Sequence, residues 1–127
     1  SVGLTLLEPH INYTNPVFAV LDVGIDVRGI VHITGGGLLE NIPRILPCGV
    51  GVEIQKGSWP SLPVYEVMQS IGNVDEEEMY RVFNMGIGMV FIVNSSDVSA
   101  VKSAMKYLTE VYEIGVVVGS DGEVIIK

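Results

Sequence analysis

The stretch Val27-Arg28-Gly29-Ile30-Val31-His32-Ile33-Thr34-Gly35-Gly36-Gly37-Leu38-Leu39-Glu40-Asn41-Ile42-Pro43-Arg44 changes character halfway along. Val27 to Thr34 is rich in β-branched residues and reads as a buried strand. Three glycines follow, then a short helix from Leu38 that Pro43 interrupts or restarts near Ile42. Glycines let the backbone turn tightly and approach a ligand closely. The N–H groups that open the next helix are unpaired and carry partial positive charge, so a phosphate or carboxylate fits there. Thr34, Gly35, Gly36 and Gly37 are thus candidates for anion binding, and an empty tight turn answers the same spacing. Two common nucleotide motifs are excluded. Leu38 and Leu39 stand where a P-loop needs Lys and Ser or Thr, and Glu40 stands at the third glycine of a dinucleotide fingerprint.

The rest of the chain alternates helices and strands. Val2 to Leu7 reads as an extended entry ended by Pro9. Thr14-Asn15-Pro16 reads as a capped helix start, with Phe18, Leu21 and Val17 on one face and Gly24 as the stop. Val50, Val52 and Ile54 alternate as a strand. Val64, Val67, Met68 and Ile71 keep helical spacing. Asn73 to Asp75 caps a further helix whose Glu76, Glu77 and Glu78 suit its positive end. Met89 to Val93 reads as a strand, and Ser95-Ser96-Asp97 caps a helix with Val98, Val101, Met105 and Leu108 on one side. Tyr112 to Val118 and Val124 to Ile126 read as a terminal hairpin around Ser120-Asp121-Gly122. The expected fold class is α+β: one domain, residues 1–127, with a mixed or antiparallel sheet and helices packed on it.

Composition narrows the function classes. Hydrophobic residues make up 48% of 127 residues, enough for a core, and charged residues only 17%. Seven basic residues against 15 acidic give a net charge of −8. That charge argues against nucleic acid and anionic membrane surfaces as partners, yet backbone N–H groups can still hold a small anion. No apolar run approaches the roughly 20 residues that span a bilayer. Cys48 is the single cysteine, which excludes an intrachain disulfide and a Cys-based zinc site and fits a reducing, cytoplasmic setting. The chain opens at Ser1 without Met or a signal peptide, which reads as an excised piece of a longer protein.

Beside the glycine loop stand Glu40, Asn41 and Arg44. Arg44 could clamp a phosphate bidentately or simply be a solvated surface cation. His32, inside an apolar strand, reads as a hydrogen-bonded core residue; His10 stays open. Gly86 and Gly88 precede a strand, the wrong order for a helix-dipole site, and read as a turn that another segment or a ligand can approach. No metal site and no nucleophile–base arrangement is recognisable from spacing.

The run from His32 to Pro47, His-Ile-Thr-Gly-Gly-Gly-Leu-Leu-Glu-Asn-Ile-Pro-Arg-Ile-Leu-Pro, resembles the central motif of phosphoribosylformylglycinamidine cyclo-ligase, also called aminoimidazole ribonucleotide synthetase. Phe83-Asn84-Met85-Gly86-Ile87-Gly88-Met89-Val90, the Trp59 to Gly72 segment and Glu113-Ile114-Gly115 are similar to later parts of the same family, in order. The resemblance implies the carboxy-terminal half of a two-domain enzyme of purine biosynthesis. ATP would phosphorylate a formyl amide oxygen, turning it into a leaving group, and the substrate's own nitrogen would close the imidazole ring. ATP and magnesium would bind mainly through the amino-terminal domain, which would also carry a homodimer interface. Thr34, Gly35 to Gly37, Glu40, Asn41, Arg44, Asn84 and Gly86 would line the phosphorylated substrate's side of a shared cleft. The resemblance assigns no catalytic residue here and implies that the piece alone is inactive.

One departure is visible. The family commonly has a basic residue where Ile11 stands in Pro9-His10-Ile11-Asn12-Tyr13. That leaves room for a divergent superfamily member or a non-catalytic binding or assembly module. The Glu40-Asn41-Ile42-Pro43-Arg44 run argues against selenophosphate synthetase, thiamine monophosphate kinase and the hydrogenase-maturation enzymes.

Overall fold

The computed structural model describes residues 1–127, the side chain of Val2 excepted. Its elements are α1 (Val2–Leu6), α2 (Thr14–Asp22), β1 (Val27–His32), α3 (Gly37–Asn41), β2 (Val50–Ile54), α4 (Pro63–Gly72), α5 (Glu76–Val82), β3 (Met89–Val93), α6 (Val98–Met105), β4 (Gly115–Gly119) and β5 (Val124–Ile126). A 3-10 segment, Ile42–Ile45, extends α3, and another, Ser95–Asp97, leads into α6. The fold class is α+β, as the alternation of patterns implies.

Two small sheets organise the core. β1 and β3 pair antiparallel, with Val31 opposite Val90 and Ile30 opposite Phe91. Side chains alternate across a strand, so this ribbon has two buried faces. Val31 and Val90 join Ile33, Leu38, Ile42, Ile54 and Trp59 in the larger cluster. Phe91 and Val93 turn the other way, onto Val20 of α2 and Val101 and Met105 of α6. The second sheet has the order β4-β2-β5, and Val52 and Ile54 of its central strand complete the larger cluster.

Several expectations are corrected. Residues 2–6 form a helix rather than an extended entry. A strand there would need a partner edge, whereas a turn of helix satisfies its N–H groups locally, the Thr5 N–H donating to the Ser1 carbonyl at 3.1 Å. In α2 the buried residues are Pro16 and Val20, while Phe18 and Leu21 face solvent. Thr14 is not the capping side chain; the side-chain oxygen comes from two residues earlier, Asn12 Oδ1 accepting the Thr14 N–H at 3.0 Å. The terminal strands form no hairpin: β4 runs antiparallel along one edge of β2 and β5 parallel along the other. The turn between them crosses the start of β2, where Ser120 and Gly122 N–H donate to the Gly49 and Val50 carbonyls at 3.2 and 3.1 Å. β4 begins at Gly115 rather than Tyr112, while β5 lies at Val124–Ile126 as expected, and Leu108 falls beyond the end of α6 and is exposed. α4 forms where its periodicity places it, but it has no fully buried residue, and Ile71 is 83% exposed.

Candidate functional site

The glycine loop joins the end of β1 to α3, and each glycine in it has a different reason to be there. A Cβ on Gly35 would meet nothing within 4 Å. Gly36 has φ +102°, a conformation essentially closed to L side chains, and a Cβ there would lie 3.0 Å from Glu40 Oε2. Gly37 has φ +55°, and a Cβ there would overlap the Tyr80 carbonyl oxygen and sit 2.7 Å from that of Phe83. Gly37 therefore lets α3 lie against the backbone of α5 and its C-terminal exit.

The loop is fastened from inside by Asn41, the one buried polar residue among the described residues, at 3% exposure. Its Nδ2 donates to the carbonyls of Gly37 at 2.8 Å, Gly35 at 3.2 Å and Thr34 at 3.4 Å, and its Oδ1 accepts the Thr34 hydroxyl at 3.3 Å. Buried polar groups of this kind must be satisfied, and here the amide is spent on the protein. Asn41 thus holds the loop's shape.

Helix α3 is only five residues long, so a helix macrodipole contributes less than the sequence suggested. The Gly37 N–H is taken by the Thr34 carbonyl at 3.0 Å and the Glu40 N–H by the Gly36 carbonyl at 3.0 Å. Among the described residues, the N–H groups of Gly35 and Gly36 have no protein acceptor. Two successive free N–H groups entering a left-handed residue form a concave nest that suits an anion. Glu40 lies against Gly36 and is exposed; Arg44, in the 3-10 segment that extends α3, is exposed too, and among the described residues it has no carboxylate within 4.0 Å.

The second expected segment adjoins the first. The Ile33 N–H donates to the Gly88 carbonyl at 2.9 Å, and Gly37 abuts Phe83. Between them, Asn84 to Gly86 form a tight turn with Met85 at φ +51° and Gly86 at φ +92°. Asn84 Oδ1 accepts the Gly86 N–H at 3.1 Å and the Tyr65 hydroxyl at 2.6 Å. Trp59 Nε1–H donates to the Met85 carbonyl at 2.8 Å. Burial pushes the Tyr65 hydroxyl above its ordinary value of 10.0, and a hydrogen bond with the Gly86 backbone offsets part of this. Spacing gave no hint of Tyr65 and Trp59 as supports, since they lie 19 and 26 residues from what they hold.

A cavity of about 1020 Å³ lies elsewhere. It lies between the two sheets under β3, and Gly86 alone of the candidate residues lines it. Its lining is mostly apolar, with Lys102, Glu110 and Glu113 among the charged exceptions. His32 is exposed rather than a core residue, and its Nε2 lies 2.9 Å from that of His10. No helix among the described residues is long and apolar enough to cross a membrane.

The family described as "AIR synthase related protein, C-terminal domain" matches residues 1–127. The chain belongs to that family. It is 44% identical to a phosphoribosylformylglycinamidine cyclo-ligase of Caldicellulosiruptor saccharolyticus over all of this chain and 37% of that protein. It is 43% identical to the enzyme of the same name from Bifidobacterium longum, over 94% of this chain and 33% of that one. The chain thus spans about a third of the length of these cyclo-ligases. The crystal structure of Escherichia coli HypE, a hydrogenase maturation protein, superposes with a TM-score of 0.67 over 90% of this chain and 36% of its own, at 21% identity. That likeness is one of fold.

Proposed function

We propose that this AIR synthase C-terminal domain is the substrate-phosphate half of an ATP-dependent cyclo-ligase that converts formylglycinamidine ribonucleotide to aminoimidazole ribonucleotide. The observation that carries the reading is the free N–H pair at Gly35 and Gly36, next to Glu40 and close to the Phe83–Asn84 turn, in a chain 44% identical to a named cyclo-ligase. In this reading the nest and Arg44 hold the substrate phosphate. The Glu40 carboxylate, which would repel a phosphate, accepts a hydroxyl or N–H of the substrate instead. Asn84 offers its amide N–H₂ to the cleft, while Thr34, Gly37 and Asn41 keep the loop in shape and Gly86 lets the turn close. Substrate is thereby positioned for ring closure, and positioning is a large part of what such a reaction needs.

ATP and magnesium are assigned to the amino-terminal domain. A hard cation wants several oxygen ligands, and among the described residues no group of three or more His, Cys, Asp or Glu could hold one; the loop offers Glu40 alone. The parent enzyme is read as a cytoplasmic homodimer, and residues 1–127 as one inactive domain of it. A divergent, non-catalytic module is the second reading, and it rests on Ile11, 52% exposed where the family commonly has a basic residue.

The test is calorimetric titration of ribose 5-phosphate into the chain and into Gly35→Asp. Gly36 is a poor choice for this variant because its φ of +102° makes any side chain strained, whereas Gly35 has room. Loss of binding in Gly35→Asp is expected, because the new carboxylate takes the anion's place. Equal affinity in the two would remove the nest from the argument.

A further inference from the structure

Two imidazoles from segments 22 residues apart meet beyond the end of β1. His10, in the link between α1 and α2, and His32, the last residue of β1, bring their Nε2 atoms to 2.9 Å, with ring centroids 5.0 Å apart. Both are exposed. Neither drifts freely. His32 is paired in the ribbon with Met89. Tyr13 packs edge-on against both rings, at centroid distances of 5.6 and 6.5 Å. Tyr13 is itself seated so closely on Gly88 that a Cβ there would lie 2.7 Å from its Cε2. The proposed substrate site uses neither imidazole.

Without a metal, the two Nε2 atoms share one proton, one donating and the other accepting. A divalent transition ion can take that proton's place once the donor ring carries its N–H on Nδ1 instead, so that both rings stay neutral and each Nε2 gives its lone pair. Metal–imidazole bonds are about 2.0–2.1 Å long, so two at right angles put their nitrogens about 2.9 Å apart, and two at the tetrahedral angle about 3.3 Å apart. The separation of 2.9 Å equals the nitrogen spacing of the right-angled case, which is the geometry of tetragonal copper(II) and nickel(II); the two exposed rings, with centroids 5.0 Å apart, must rotate to aim both lone pairs at the ion. We propose that His10 and His32 form a two-imidazole site for such an ion, with water filling its remaining positions. Zinc would need the nitrogens to open by about 0.4 Å. Among the described residues no third His, Cys, Asp or Glu joins the pair, so the site is a weak, open one.

The test uses copper(II) chloride and nickel(II) chloride as probes on the chain carrying Cys48→Ser, because the exposed thiol would compete for both metals. One saturable site per chain is expected by calorimetry, with affinity falling at least tenfold in His10→Gln and again in His32→Gln. In the unsubstituted imidazoles, copper(II) should broaden both sets of histidine ring protons first, and the chain has only these two histidines. That readout stands even if a variant fails to fold. Affinity in His10→Gln within twofold of the parent, or broadening that spares either ring, would overturn the site. Neither result bears on the phosphate nest.

Discussion

Gly35 and Gly37 lie two residues apart in one loop, and the structure makes opposite demands on them. Replacing Gly37 with Ala forces a Cβ into a left-handed residue, which costs roughly 1–2 kcal/mol. That Cβ also overlaps backbone carbonyls of Tyr80 and Phe83. Those atoms belong to α5 and its exit and cannot swing aside as a side-chain end can, so overpacking adds about 1–3 kcal/mol. A total near 3 kcal/mol is a large part of a small domain's stability of about 5–15 kcal/mol. With a urea slope of about 1.5 kcal/mol/M, the unfolding midpoint should fall by about 2 M. Gly35→Ala meets nothing within 4 Å and has no positive φ, so it should stay within about 1 kcal/mol of the parent, with restriction of the unfolded chain in its favour. Urea unfolding followed by fluorescence of Trp59, the single tryptophan, reads both variants. A Gly37→Ala midpoint within 0.3 M of the parent would refute the close packing of α3 on α5, and so would a Gly35→Ala loss as large as that of Gly37→Ala (thresholds of about 0.5 kcal/mol on the same slope).

Three further outcomes follow from the same contacts. Asn41→Leu removes the donor to three loop carbonyls, and stranded buried acceptors should cost about 2–4 kcal/mol; ribose 5-phosphate binding should weaken with it, and a variant as stable as the parent in urea would show that the loop holds its own shape. Trp59→Phe keeps the ring packed and frees the Met85 carbonyl, so a loss of about 1–2 kcal/mol in thermal unfolding followed by circular dichroism is expected, and no loss would count against the clamp on the turn. Burial raises the hydroxyl pKa of Tyr13, Tyr65 and Tyr80 above 10.0. The folded state then holds these protons more tightly than the unfolded chain. That stabilisation is complete below pH 10 and is lost as pH rises from there through the folded values. Urea midpoints should therefore fall between pH 9.5 and 11 (about one unit around the ordinary value), and Tyr65→Phe should reduce the slope; a flat profile would refute the buried hydroxyls.

Much of the fold was legible where residue type and period agree. Val27 to His32, Val50 to Ile54 and Met89 to Val93 are β-branched or alternating runs, and all are strands. Failures come where the pattern carries no direction. Residues Val17, Phe18, Ala19, Val20 and Leu21 are five apolar residues in a row, so periodicity marks no face of α2. The choice of Val20 is made by Val101 and Met105 of α6, residues more than 80 positions away in the chain. The β4–β5 turn was legible as a reversal, yet a reversal does not specify which strand lies between its arms. Gly51 held the missing signal: a Cβ there would meet the Glu123 carbonyl at 2.6 Å and Ser120 Cβ at 2.7 Å. A glycine inside a strand marks a place where another segment passes close by, and here that segment is the turn that puts β2 in the middle.

The candidate site divides along the same line. The sequence brought together the residues of one loop because they are consecutive, and it read their side chains as ligand contacts because polar groups beside glycines usually are. The structure gives the polar side chains two different employments. Asn41 and the oxygen of Asn84 are consumed by the backbone they shape, and Tyr65 and Trp59, from a segment with no motif of its own, hold the neighbouring turn. What remains free to meet a ligand is main-chain N–H at Gly35 and Gly36, one cation, one carboxylate and one amide. Main-chain donors leave no mark in residue identity beyond the glycines that expose them. An acidic chain of net charge −8 can offer an anion site on these terms, because the attraction comes from oriented dipoles a few ångströms away while the surface carboxylates act through water and salt.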